Sequence, residues 1–158
     1  MSAGQDRGAD RSDPLAVSLF TEIMTIDQLA RNSIARALPK GMELSHFSVL
    51  NLLAHTGDER TPGQLARSFH LTRGAMTNTL SRLEWAGWVH VRPDWDDARK
   101  KRVSISPAGR RARDDALAAI APLIAEVAGR IGAERVRPLL PVLRELRLQL
   151  AESEPRDE

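Results

Sequence analysis

The segment from Thr61 to Ser106 constrains the fold of this chain most, because its punctuation admits one order of elements. Thr61, Pro62, Gly63 and Gln64 form a capping box with proline at the first helical position, where the Thr and Gln side chains satisfy each other's exposed amides. A short helix with Leu65, Ala66 and Phe69 follows, and His70, Leu71 and Thr72 turn the chain into a second helix capped by Thr72. In that helix Met76, Leu80, Leu83 and Gly87 share one face, and Arg73, Gly74, Thr77, Asn78, Ser81 and Arg82 occupy the other. Trp88 to Arg92 and Arg102 to Ser106 then alternate apolar and polar residues across a Pro/Asp-rich basic loop, which predicts a β-hairpin. Helix, turn, helix and hairpin in that order is a winged helix-turn-helix.

The flanks read as helices. Ser12, Asp13 and Pro14 start a long first helix with Leu15, Leu19, Ile23, Ile26, Ala30, Ile34 and Leu38 at helical spacing, stopped by Pro39 and Gly41. Ser45 caps a second helix carrying Phe47, Val49, Leu50, Leu53 and Ala54, which Gly57 ends. Ser106 and Pro107 restart a helix with Leu117, Ile120, Ile124, Val127 and Ile131, bent by Pro122. A last helix, Glu134 to Glu152, carries Leu139, Leu140, Leu143, Leu146 and Leu150, its first turns distorted by Pro138 and Pro141. The expected class is mostly α with a small β-hairpin. One domain over residues 13–152 is expected between flexible tails, 1–12 and 153–158.

Charge is uneven along the chain. Between Arg60 and Arg113 there are 12 Lys and Arg against 4 Asp and Glu, whereas the remainder holds 11 against 17. A basic middle between acidic ends is the pattern of a polyanion-binding surface on a scaffold with another task, although a solvated basic face would look the same. Cysteine is absent, which removes disulfide frameworks, thiolate nucleophiles and cysteine redox sensors. No stretch has the length and apolarity of a membrane span, and the polar start lacks a signal core, so a cytoplasmic location is expected.

The second helix of the motif has the size and chemistry to enter a major groove. Arg73 suits bidentate contact to guanine, Asn78 suits adenine, and Thr77 suits a thymine methyl or a phosphate. Gly74 is costly inside a helix unless the backbone must approach something closely. The alternative is an ordinary surface helix with idle polar residues, which the following hairpin disfavours. At the hairpin tip, Arg99 suits insertion into a narrow minor groove, Lys100, Lys101 and Arg102 suit phosphates, and Asp97 serves as an anchor orienting Arg99. Trp85 and Trp88, flanking Gly87, read as core packing rather than a platform for bases. Six aromatics without tyrosine argue against single-strand recognition by stacking.

The run from Asp96 to Gly109 resembles the wing signature of the MarR (multiple antibiotic resistance regulator) family, Asp-x-Arg, five residues, Leu-Thr, two residues, Gly. Asp97, Arg99 and Gly109 match it, with Ile105 and Ser106 at the Leu-Thr pair. Leu44 to Leu50 and Leu71 to Val89 also resemble that family's second and fourth helices. The resemblance implies a homodimer built by helices in 13–38 and 107–152, with 44–106 as the DNA-binding part on a pseudo-palindromic operator. It further implies a repressor, occasionally an activator, relieved by small, often aromatic and acidic ligands. Ile23, Ile26, Met42, His46 and Phe47 are the expected effector pocket, an apolar wall with one polar group, with a simple helix-start histidine as the alternative for His46.

Two other readings stay open. One is a winged-helix interaction module that recruits a protein partner instead of DNA, without effector control. An enzyme is disfavoured, since no nucleophile with a nearby base and no paired carboxylates at recognisable spacing occur. His46, His55, His70 and His90 are too scattered for a local metal pattern, and neither a metal nor a cofactor is expected.

Overall fold

The structure is a computed structural model that describes residues 13–153. The Ser12 cap and the tail at 1–12 lie outside the described residues, as does the end of the chain beyond Ser153. Two compact units are distinguished, Met1–Arg36 and Ala37–Glu158.

The described residues of the first unit lie almost wholly in one helix, α1 (Pro14–Ala37), whose last residue falls in the second unit. The Asp13 carboxylate accepts from the Leu15 backbone N–H at 3.0 Å, so Asp13 satisfies an amide at the helix start. Leu15, Leu19, Phe20, Met24, Ile26 and Leu29 are all exposed on it.

The second unit begins with α2 (Leu44–Thr56), whose cap is Glu43 rather than the expected Ser45. Glu43 and His46 form a reciprocal capping box, with Nδ1 of His46 accepting from the Glu43 backbone N–H at 3.2 Å. Ser45 therefore falls inside the first turn. Next, α3 (Pro62–Ser68) starts at the expected box: Gln64 Oε1 accepts from Thr61 N–H at 2.8 Å, and Thr61 Oγ1 accepts from Gln64 N–H at 3.1 Å. Helix α4 (Arg73–Trp85) is capped by Thr72, whose Oγ1 accepts from Ala75 N–H at 3.2 Å. It ends before Gly87, which has φ +71° and so lies past the helix rather than on its apolar face.

The hairpin pairs β1 (Val89–Pro93) with antiparallel β2 (Lys101–Ile105) in the register Val89 to Ile105, Val91 to Val103 and Pro93 to Lys101. Arg60 adds a third rung that the sequence reading missed, exchanging backbone hydrogen bonds of 3.0 and 2.8 Å with Val103. Helix α5 (Pro107–Ile131) is continuous through Pro122. The expected single last helix is instead two, α6 (Ala133–Val136) and α7 (Leu139–Ser153), because Pro138 lacks the N–H that would carry the first into the second.

One core joins these elements. Val49, Leu50 and Leu53 of α2 meet Leu65 and Ala66 of α3, Met76, Leu80 and Leu83 of α4, Val89 and Val103 of the hairpin, and Ala116 of α5. Full burial of each large apolar side chain contributes about 1.5–3 kcal/mol, so this cluster is what fixes α4 and the hairpin in one frame. None of the single helices described is long and apolar enough to cross a membrane.

Candidate nucleic-acid interface

Helix α4 buries Met76, Leu80 and Leu83 in the core and leaves Arg73, Gly74, Thr77, Asn78, Ser81 and Arg82 exposed. The Thr77 hydroxyl donates to the Arg73 carbonyl at 2.8 Å, and the Ser81 hydroxyl to the Thr77 carbonyl at 3.0 Å. Their hydrogens are thereby engaged within the helix, leaving the Asn78 amide and the Arg73 guanidinium as donors for an outside partner. Among the described residues nothing demands glycine at 74, where an added Cβ would meet no atom within 4 Å. A helical glycine costs about 1 kcal/mol relative to alanine, so its use on this face fits a constraint from outside the chain.

Arg82 is tied into the protein. Its Nη1 donates to Glu43 Oε1 at 2.6 Å, joining α4 to the cap of α2. Both side chains are more than half exposed, and such a pair contributes about 0–1 kcal/mol, so Arg82 can exchange Glu43 for a phosphate at little cost.

The hairpin tip is wound around its acids. Asp94 Oδ1 accepts from Asp96 N–H at 3.0 Å and Oδ2 from Arg102 Nε at 2.6 Å. The Asp96 amide first, and then the Arg102 guanidinium, hold the Asp94 carboxyl below the usual carboxylate range. Asp97 Oδ1 accepts from Arg99 N–H at 3.1 Å and from Arg99 Nε at 3.4 Å. Arg99 nevertheless stays 94% exposed, with Lys100 and Lys101 exposed beside it. Below the tip, Arg92 forms a forked pair with Glu59, at 3.0 and 2.5 Å, and its guanidinium lies 5.1 Å from the Trp95 ring centroid. Of the four consecutive wing cations, Arg102 thus has its charge matched locally, whereas Arg99, Lys100 and Lys101 face outward.

The expected effector residues divide between the two units. Ile23 is half-buried and Ile26 exposed on α1; in the second unit Met42 and Phe47 pack with the core. His46 is buried edge-to-face against Trp88, with ring centroids 6.4 Å apart. Since its Nδ1 accepts a hydrogen bond, the neutral ring carries its proton on Nε2, which is buried with no hydrogen-bond partner among the described residues.

Burial lowers the His46 pKa, Glu43 opposes this, and Arg82 adds to the lowering. With the folded value depressed, the unfolded chain binds the proton first, so stability is full above the ordinary histidine range and declines as pH falls through it towards the folded pKa. His46→Gln keeps an acceptor for the Glu43 amide and removes the titration. Melting temperatures measured between pH 8 and pH 5 are expected to fall less steeply for this variant than for the wild type; parallel curves would show that His46 does not titrate in this way.

The expectation that Trp85 and Trp88 pack in the core is half wrong. Trp88 is half-buried, but Trp85 is 92% exposed. It lies nine residues beyond Met76, two and a half turns at about 3.6 residues per turn, and therefore opposite the core. Sequence reading took its apolarity for burial, although the spacing already set it in line with Gly74, Asn78 and Ser81.

Residues 40–100 match the model of the MarR family. The transcriptional activatory protein BadR of Rhodopseudomonas palustris is 29% identical over 108 residues, which is 66% of this chain and 62% of that protein's length. Among solved structures, the transcriptional regulator BldR of Sulfolobus solfataricus superposes with a TM-score of 0.77 at 25% identity, covering 89% of this chain and 99% of that one. The fold is also that of a mutant MarR from E. coli complexed with operator DNA, with a TM-score of 0.72 at 22% identity over 87% of this chain and 99% of that one. The chain is thus similar to the MarR family in the segment that carries both helices of the motif, and it shares the fold of solved transcriptional regulators over most of its length.

Proposed function

We propose that this protein is a sequence-specific duplex-DNA-binding regulator in the cytoplasm that works as a homodimer on a pseudo-palindromic operator and represses until an effector releases it. The observation that carries the reading is the exposed face of α4, with a cation, a glycine and an amide set opposite buried Met76, Leu80 and Leu83, beside a wing whose acids fold back and whose Arg99, Lys100 and Lys101 do not. Arg73, Gly74, Thr77, Asn78 and Ser81 read bases, Thr72 and Arg82 meet the backbone, and the wing holds the flanking groove with Asp97 steadying Arg99. Arg102, paired with Asp94, shapes the wing first and meets phosphate second in this reading.

Residues 44–106 form the DNA-binding part in this reading, and the helices within 13–38 and 107–152 form the dimer. Support for the dimer comes from the exposed apolar residues of α1 and from Leu139, Leu140, Val142, Leu143, Leu148 and Leu150 of α7, which a second copy would cover. For the effector we favour a small apolar acid, because the buried Nε2–H of His46 has no partner among the described residues and Met42 and Phe47 adjoin that helix start. A ligand that prefers one spacing of the two recognition helices weakens operator binding only by its differential affinity, and about 1.4 kcal/mol suffices for tenfold.

Selection of bound duplexes from a randomised pool tests the DNA-binding reading, and base-substituted versions of the selected site then assign the contacts. Arg73→Ala is expected to cost about 2 kcal/mol and to relax preference at one base position per half-site. Arg99→Ala is expected to weaken binding mainly at A·T-rich flanks. Identical profiles for the two variants would overturn the assignment of one to the major groove and the other to the wing.

A further inference from the structure

We propose that Trp85 is a DNA-backbone contact, its indole packing on the deoxyribose and phosphate where the recognition helix leaves the major groove. The proposal rests on the DNA-binding reading above and extends it to a residue outside the polar set.

Gly74, Asn78, Ser81 and Trp85 follow one another at spacings of four, three and four, a single stripe along α4. The first three are small or polar; the last is the largest side chain available and is 92% exposed. A tryptophan so exposed pays for its hydration without returning burial unless something covers it, and the stripe it continues is the face turned to the duplex. Trp85 lies eleven residues after Gly74, about 16 Å along the helix axis. The major groove is about 12 Å wide, so a helix that enters with Arg73 and Gly74 at the base edges carries Trp85 beyond the bases to the groove's rim. There the chemistry is a sugar face and phosphate oxygens, which an indole meets with its ring and its N–H. Arg82, one turn back and paired with Glu43, offers a charge to phosphate but no ring for the sugar face, which Trp85 supplies at this end.

The test uses the full chain and the duplex that the wild type selects from a randomised pool. Trp85→Ala is expected to weaken binding about tenfold, to the same degree on every base-substituted duplex. It should leave the slope of log affinity against log salt unchanged, because a neutral side chain displaces no counterion. Trp85→Phe should recover most of the loss. The exposure of Trp85 predicts that both variants melt as the wild type does. Acrylamide quenching of tryptophan emission should fall on adding the duplex, and fall less in Trp85→Phe.

Wild-type affinity in Trp85→Ala overturns the proposal, as does a loss confined to one base position. A change in the sedimentation of DNA-free Trp85→Ala also overturns it, since the face would then belong to a second copy. Failure of the wild type to bind any duplex strikes instead at the DNA-binding reading itself.

Discussion

Raising the salt concentration from 50 to 200 mM lowers the affinity of the protein for its selected duplex by roughly 10³- to 10⁵-fold, if about six to ten phosphates are neutralised per dimer. In the proposed dimer Arg82, Lys100 and Lys101 supply six from two copies, the base- and groove-facing Arg73 and Arg99 add to the charge, and local pairing decides which other cations take part. Arg102 is matched by Asp94 at 2.6 Å and Arg92 by Glu59 at 2.5 Å, so these two charges are balanced before any DNA arrives. Lys100→Ala and Lys101→Ala should each reduce the slope of log affinity against log salt by about two, one phosphate in each half-site at about 0.9 apiece. Arg102→Ala should change the slope less while loosening the wing, because it frees the Asp94 carboxylate beside the phosphates. The measurement is a titration of each protein against the same duplex at several salt concentrations. A flat titration for the wild type would favour a winged module that recruits protein.

Those pairings mark where sequence reading stops. Caps are local, so Thr61 with Gln64, Thr72, and Ser106 with Pro107 were legible and set three helix starts correctly. The cap of α2 was misplaced because histidine at the third position is an uncommon partner in such a box, whereas Ser45 offered a familiar one. A single rung at Arg60 has no periodicity to detect, so the third edge of the wing escaped notice. The charges of the interface were visible one by one, but their partners were not. Glu43 and Arg82 are 39 residues apart, Glu59 and Arg92 are 33 apart, and only the folded chain brings them together. Trp85 differs from the core residues in phase: it is apolar yet sits opposite the Met76, Leu80 and Leu83 stripe, so its exposure follows from helical spacing rather than from composition.

Gly109→Ala is expected to destabilise the protein by about 3 kcal/mol, since the new methyl group has nowhere to go. A Cβ built at 109 lies 2.0 Å from the Trp88 carbonyl oxygen, 2.8 Å from its carbon and 3.0 Å from Ile105 Cγ1. The first two are backbone atoms, and they are pinned. Ser106 N–H donates to that same Trp88 oxygen at 3.0 Å, the Ser106 hydroxyl donates to the Gly87 carbonyl at 2.6 Å, and its Oγ accepts from Gly109 N–H at 2.9 Å. Relief requires α5 to move away from the end of the recognition helix, which breaks this buried junction and its hydrogen bonds together. At about 2–4 °C per kcal/mol for a chain of this size, the melting temperature should drop by roughly 10 °C. Gly129→Ala, also in α5, is the control: its Cβ would meet nothing within 4 Å, and helix propensity alone should stabilise the protein by about 1 kcal/mol. Because Trp88 leads directly into β1, a displaced junction also shifts the wing against α4, so Gly109→Ala should weaken DNA binding below its melting transition, whereas Gly129→Ala should not. Equal melting temperatures for Gly109→Ala and the wild type would mean that α5 does not lie against the Trp88 carbonyl, and that the glycine of the wing signature answers to something other than this contact.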